Sequence, residues 1–133
     1  MIKKLIAFIL LACVLTLTCT AQSVQPRWDA TLKVMLAQDY YSGEGIYCYV
    51  EIVGYPNVTS IENIDIVLKR QVGNDWVETA SWTDLETDGN EFMYEQAASN
   101  ATIGETYRLE VTADVYYDTN SMETINCFMD KEY

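Results

Sequence analysis

Ile103-Gly104-Glu105-Thr106-Tyr107-Arg108-Leu109-Glu110-Val111-Thr112-Ala113-Asp114-Val115-Tyr116 decides the fold. Tyr107, Leu109, Val111, Ala113 and Val115 fall on one side of a period of two. Arg108, Glu110, Thr112 and Asp114 fall on the other. Side chains of a strand point alternately to opposite faces, so this pattern predicts a half-buried β-strand. In a helix the same apolar residues would be scattered around the circumference.

Working outward, the same alternation returns on both sides. Ala30, Leu32, Val34 and Leu36 predict a first strand with those residues inward. Ile46, Cys48, Val50 and Ile52 predict a second, with Tyr47, Tyr49 and Glu51 on its other face. Ile64, Ile66 and Leu68 mark a third, Trp76 to Thr83 a fourth and Glu91 to Gln96 a fifth. A last strand runs through Ile125 and Met129. Between them lie Gln38 to Gly45, Gly54-Tyr55-Pro56-Asn57, Gly73-Asn74-Asp75 and Asp118 to Ser121, all rich in turn-forming residues. Asp88-Gly89 reads as a hairpin turn, because glycine supplies the positive φ such turns need. Seven short strands with turns between them and no amphipathic helix predict an all-β protein, a single antiparallel two-sheet sandwich.

The start of the opening strand carries a family resemblance. Gly104 precedes Tyr107 by three residues, and the run Gly-Glu-Thr-Tyr-Arg-Leu-Glu-Val is similar to the Gly-Thr-x-Tyr-x-Val-x-Val pattern of fibronectin type III modules. It also resembles the tyrosine corner of immunoglobulin-like sandwiches, in which a tyrosine hydroxyl bonds back to upstream backbone. The resemblance implies an immunoglobulin-like or fibronectin type III-like sandwich with Tyr107 in a structural role. Pro26-Arg27-Trp28 after an N-terminal signal, with Trp76 and Trp82 in a later hairpin, resembles small secreted β-sandwich proteins of Gram-positive bacteria, a group of uncharacterised function.

Residues 1–21 read as a secretory signal peptide: Lys3 and Lys4, an apolar run from Leu5 to Leu17, then Cys19-Thr20-Ala21 before a cut ahead of Gln22. Residues 22–27 are a short linker and residues 28–133 the sandwich. The expected location is secreted or extracellular. A lipid anchor at Cys13 or Cys19 is the minor alternative, since Leu10-Leu11-Ala12-Cys13 looks like a lipobox. Cleavage would leave about 112 residues, one domain of ordinary size. Six basic residues would then face all twenty acidic ones, a formal charge of −14. That balance argues against nucleic acid and against anionic lipid as partners. Cys48 and Cys127 would be the two remaining cysteines, and an oxidising compartment favours a disulfide between them. Closing that loop would contribute about 3–5 kcal/mol on the chain-entropy model.

Catalytic chemistry is sparse. The sequence has no histidine, which removes the commonest general base and most zinc sites. No glycine-rich phosphate loop occurs. The expectation is a protein that is not an enzyme and carries no cofactor. Asp84, Glu86 and Asp88, followed by Gly89 and Glu95, meet the spacing of a calcium loop. The alternating flanks suit strands rather than the helices that motif needs, so calcium is a secondary expectation. Asn57-Val58-Thr59 and Asn100-Ala101-Thr102 have the form of glycosylation sequons and read as turn residues. Ten tyrosines are a better lead. Tyr47 and Tyr49 share the strand face opposite Cys48, and Tyr40, Tyr41 and Tyr55 sit at strand ends. Exposed rings beside carboxylates suit a protein contact first, and a sugar second. The expectation is therefore an extracellular binding module for a protein, or alternatively for a glycan, or a calcium-stabilised structural domain.

Overall fold

The computed structural model describes residues 28–133. The signal peptide reading, the linker, Cys13, Cys19, Pro26 and Arg27 lie outside the described residues. Within them, seven strands follow in order: β1 (Thr31–Tyr41), β2 (Gly45–Gly54), β3 (Val58–Val72), β4 (Asp75–Asp88), β5 (Glu91–Ala98), β6 (Thr106–Tyr117) and β7 (Ser121–Glu132). They form a three-stranded sheet, β1-β2-β5, and a four-stranded sheet, β4-β3-β6-β7, with every pairing antiparallel. The chain is an all-β sandwich, and no helix occurs among the described residues. No helix there is long and apolar enough to cross a membrane.

The opening strand is β6, flanked by β3 and β7 in the larger sheet. Its inward set, Tyr107, Leu109, Val111, Ala113 and Val115, is at most 1% exposed. Facing it from the smaller sheet are Ile46, Val50 and Ile52 of β2, equally buried. Each such aliphatic side chain contributes about 1.5–3 kcal/mol by leaving water. The Tyr107 hydroxyl accepts a hydrogen bond from the Thr102 amide, 2.7 Å away, so the buried ring has a polar partner five residues upstream. Gly104, at φ 91°, supplies the turn between them.

One expectation about alternation fails, and the reason is an extra residue in a strand. Alternation places Leu32 inward with Ala30, Val34 and Leu36. The pairing of β1 with β2, however, shifts between Thr31 and Lys33. The bulge buries Ala30 and Thr31 in succession and leaves Leu32 54% exposed. In β3, Ile64, Ile66 and Leu68 are fully buried as alternation implies, and a register shift between Ile61 and Ile64, where Asn63 takes φ 49°, adds Ile61 to the core. A bulge reverses the side-chain parity downstream of it, and nothing in the identity of the flanking residues announces that.

Asp88-Gly89 is not a hairpin. β4 pairs with β3 and β5 pairs with β2, so this turn carries the chain from one sheet to the other. Gly89 takes φ 95° and its amide donates to the Thr59 carbonyl. Asn90 exchanges bonds with Gly54, its carbonyl accepting from the Gly54 amide and its side-chain amide donating to the Gly54 carbonyl. The tight hairpin is instead at Gly73-Asn74, where Val72 pairs with Asp75. Trp76 and Trp82 therefore sit on one strand of that β3–β4 hairpin.

The sandwich closes along β1 and β7 through polar ties. Glu123 accepts bonds from the amides of Asp29, Ala30 and Thr31 and from the Thr31 hydroxyl, at 2.6–3.0 Å. Gln38 is 4% exposed; its amide donates to the carbonyls of Tyr107 and Met129, and its oxygen accepts from the Tyr133 hydroxyl. Gln38 therefore does not start a turn, as its neighbourhood suggests; β1 continues through it to Tyr41.

The expected disulfide is not there: Cys48 and Cys127 are free thiols. Both do face inward, Cys48 buried in β2 and Cys127 half-buried in β7, as their parity implies. Their levels differ. Cys48 lies opposite Gln38, and Gln38 reaches across to Met129, one inward position beyond Cys127. Parity brings two residues to the same core, but bridging needs the same level too. Burial pushes the Cys48 thiol up to about 12 and also raises Cys127, so neither is a reactive thiolate.

Candidate functional site

The outer face of the three-stranded sheet is the best candidate. Register stacks its side chains in rows across three strands. Met35, Glu51 and Met93 form one row; Ala37, Tyr49 and Glu95 the next; Asp39, Tyr47 and Ala97 the third. Tyr41 ends the β1 column, opposite Gly45. These positions follow from strict alternation past the core residues Val50 and Ile52 of β2 and Phe92 of β5. Gly45 takes φ 96°, and a Cβ there would collide with the Ala98 carbonyl, so glycine lets β2 leave the turn tight against β5.

Two rings stand up from this face between two low points. Ala37 flanks Tyr49 and Ala97 flanks Tyr47. Met35 and Met93 are 43% and 63% exposed, and Leu32, turned outward by its bulge, adds to the same side. Tyr41 meets Tyr47 edge to face, with centroids 6.1 Å apart and planes at 86°. With Glu44 they line a shallow hollow of about 140 Å³. The Tyr47 hydroxyl donates to Glu95 Oε2 at 2.6 Å. That bond holds the phenolic proton and raises its pKa, aided by some loss of solvent. For Tyr49, loss of solvent is the larger cause, followed by the charge of Glu51. Neither phenol is pushed toward the phenolate that nucleophilic chemistry would use.

Charge around the rings is one-sided. Asp39, Glu44, Glu51, Glu91 and Glu95 stand against Lys33. Lys33 is held by Glu51 at 3.1 Å, and Asp39 by Lys131 of β7 at 2.7 Å. The Lys131 ammonium, through its hydrogen bond and its charge, keeps the Asp39 carboxyl below its ordinary value.

The other residues singled out from the sequence fall elsewhere. Tyr55 is 42% exposed in the β2–β3 turn, six residues beyond Tyr49. At about 3.3 Å per strand residue it lies roughly 20 Å from that ring and does not join the face. Asp84, Glu86 and Asp88 point outward from β4 of the larger sheet, and Glu95 points outward from β5 of the smaller. Opposite outer faces cannot wrap one cation, so the calcium-loop spacing does not become a loop. The Asp84 amide, at φ 55°, is instead taken by the Asp65 carboxylate at 3.0 Å. Among the described residues no group of three or more Cys, Asp or Glu side chains is placed to hold a metal ion.

Sequence reasoning misses Met35 and Met93, and it sets Tyr41 at a strand end rather than on this face. Their signal is present: they continue the alternation that sets Tyr47 and Tyr49 outward. It is masked because Gln38 to Gly45 reads as a turn and because methionine also suits a core. No family model, no curated protein and no solved structure matches the chain.

Proposed function

We propose that this chain is a non-catalytic, exported β-sandwich that binds another protein through the outer face of its three-stranded sheet. The observation that carries the reading is the pairing of exposed Met35 and Met93 with the Tyr47 and Tyr49 rings in adjacent rows of one face. Tyrosine and methionine are enriched at the centres of protein interfaces, and carboxylates suit the rim. Thioether side chains fit irregular apolar surfaces with little loss. A sugar ring prefers a flat aromatic platform, whereas Tyr41 and Tyr47 stand at 86° to each other. Export rests on Lys3 and Lys4 ahead of the apolar run Leu5 to Leu17. The resemblance to small secreted Gram-positive sandwiches agrees with that origin.

The test is photo-crosslinking from one face at a time. A photo-reactive residue replaces Met93 in one variant and Thr112, on the outer face of β6, in another. Both are exposed to the secreted and surface proteins of a Gram-positive host. A discrete protein adduct from position 93 and none from position 112 supports the reading. Adducts from both, or from neither, overturn it. Saturable binding to a glycan array that is lost in Tyr49→Ala would replace it with the sugar reading.

A further inference from the structure

The chemistry of the face narrows the partner. We infer, resting on the docking reading above, that the surface it takes is that of a cationic protein: apolar side chains seated beside Met35 and Met93, ringed by lysines or arginines that meet Glu44, Glu91 and Glu95. Three observations lead there. Lys33, the one basic side chain on this face among the described residues, is already held by Glu51. Asp39 is likewise occupied by Lys131. Among the described residues Glu44 and Glu91 make no ion pair, and Glu95 has only the Tyr47 hydroxyl, so the groups left for a partner all carry negative charge. They also lie to the sides of the methionines and rings, whereas Glu51, between Met35 and Met93, is already neutralised by Lys33. Glu91 flanks Met93 along β5, and Glu44 closes the hollow beside Tyr41. Carboxylates beside apolar side chains repel acidic partners and raise the encounter rate of basic ones.

The charge on the rest of the molecule points the same way without competing for the role. β4 and β5 together carry seven carboxylates and no basic residue. That field draws a cation toward this side of the sandwich. On β4, though, Trp76 is covered by Arg108, and the exposed Val77 pairs with Arg70, whose charge would repel a cationic partner. A second copy of this chain is a poor occupant, because two such faces would meet acid to acid.

The probes are two synthetic peptides of one length, one bearing lysines around a tryptophan and a leucine, the other with glutamate at each lysine. Each is titrated into the isotope-labelled protein and followed by amide NMR shifts. The cationic peptide is expected to move the signals of Ala37, Tyr47, Tyr49 and Met93. Its affinity should fall about tenfold between roughly 0.05 and 0.5 M salt, as screening predicts. It should also fall severalfold in the Glu91→Gln/Glu95→Gln double variant, and the acidic peptide should leave the spectrum unchanged. Shifts centred on Asp84, Glu86 and Asp88 would overturn the inference, as would an unaltered affinity in the double variant. A crosslinked partner at position 93 that is acidic, or whose binding is indifferent to salt, would also overturn it while leaving the docking face standing. Loss of the crosslink itself would remove the face first.

Discussion

The two outer faces of this sandwich carry similar residue types and use them differently. On the four-stranded face, the Arg108 guanidinium lies between two rings, 4.2 Å from the Trp76 centroid and 4.0 Å from that of Phe128. It also pairs with both oxygens of Asp130, at 2.7 and 2.9 Å. Lys69 holds Glu110 at 2.8 Å, and Asp114 accepts from Asn63 and Thr124. Aromatic, cationic and acidic groups there consume one another across β4, β6 and β7. On the three-stranded face, rings and thioethers stand beside carboxylates with a single lysine to share. The first face ties its cations, the Trp76 ring and several carboxylates to one another, and leaves Phe128, Met122 and Val77 exposed on its edge strands. The second leaves apolar area and negative charge for something outside the molecule. Composition alone would not separate the two; register does.

The largest expected effect tests whether the smaller sheet is held in place independently of either face. Glu123 of β7 is the anchor for the start of β1, taking four hydrogen bonds from Asp29, Ala30 and Thr31. Glu123→Ala would strand three amides at the seam and is expected to cost about 2–4 kcal/mol, read from urea unfolding. The pH dependence has a definite sign. Burial alone would raise the Glu123 carboxyl, but the Thr31 hydroxyl and the three amides together outweigh it and hold it below its ordinary 4.5. A depressed folded-state pKa gives stability that is complete above the unfolded value and is lost as pH falls through the folded one. The stability gap between the native chain and Glu123→Gln should therefore be constant at neutral pH and close below about 4.5. A gap that persists in acid would mean that shape, not charge, makes the seam.

A smaller effect is expected from breaking the self-satisfied face. Arg108→Ala removes a two-pronged ion pair and two ring contacts from a side chain that is only 21% exposed. Exposed cation–π contacts and surface ion pairs are each worth about 0.5–1 kcal/mol, so a loss of about 1–2 kcal/mol is expected in the same unfolding experiment. The variant should also uncover Trp76, detectable as a red shift and quenching of tryptophan emission. An unchanged Tm with unchanged emission would show that Arg108 is not held between the rings in solution. The contrast between the faces would then collapse.

Alternation is the part of this fold that the amino-acid sequence states openly, and it is reliable wherever strands run unbroken. β2 and β6 place Cys48, Val50 and Ile52, and Tyr107 to Val115, on the faces their parity implies. The Tyr107 hydroxyl, expected to bond upstream, accepts from the Thr102 amide. Failures cluster where a single residue changes the count or where partnership between strands is at stake. The bulge at Leu32 reverses parity without a sequence mark. The Asp88-Gly89 turn has hairpin chemistry, yet it joins two sheets, because which strand pairs with which depends on the whole topology. The calcium spacing and the Cys48–Cys127 bridge fail on the same ground. Both treat distance along the chain, or parity, as position in space. The binding face is half legible: alternation finds Tyr47 and Tyr49 on β2, whereas their companions on β1 and β5 emerge only from the register.

The smallest expected effect is the one that most sharpens the contrast. Among the described residues Met93 is the most exposed methionine, and it belongs to the face proposed to lack partners inside the molecule. Met93→Gln keeps the length and flexibility of the side chain and removes its apolar character. If the thioether packs against nothing in this chain, the free energy of unfolding should change by no more than about 0.5 kcal/mol, the range of ordinary surface substitutions. The same variant should bind the lysine-bearing peptide more weakly, because an apolar contact to the partner is lost. The two readouts answer different questions. A change in stability well beyond that range would mean that Met93 is covered within the molecule, and the three-stranded face would then be as self-contained as the other. Unchanged stability with weakened binding is the signature of a side chain whose contacts lie in another molecule. Phe128→Gln on the four-stranded face should show the reverse, losing about 0.5–1 kcal/mol of stability with its Arg108 contact while leaving peptide binding untouched.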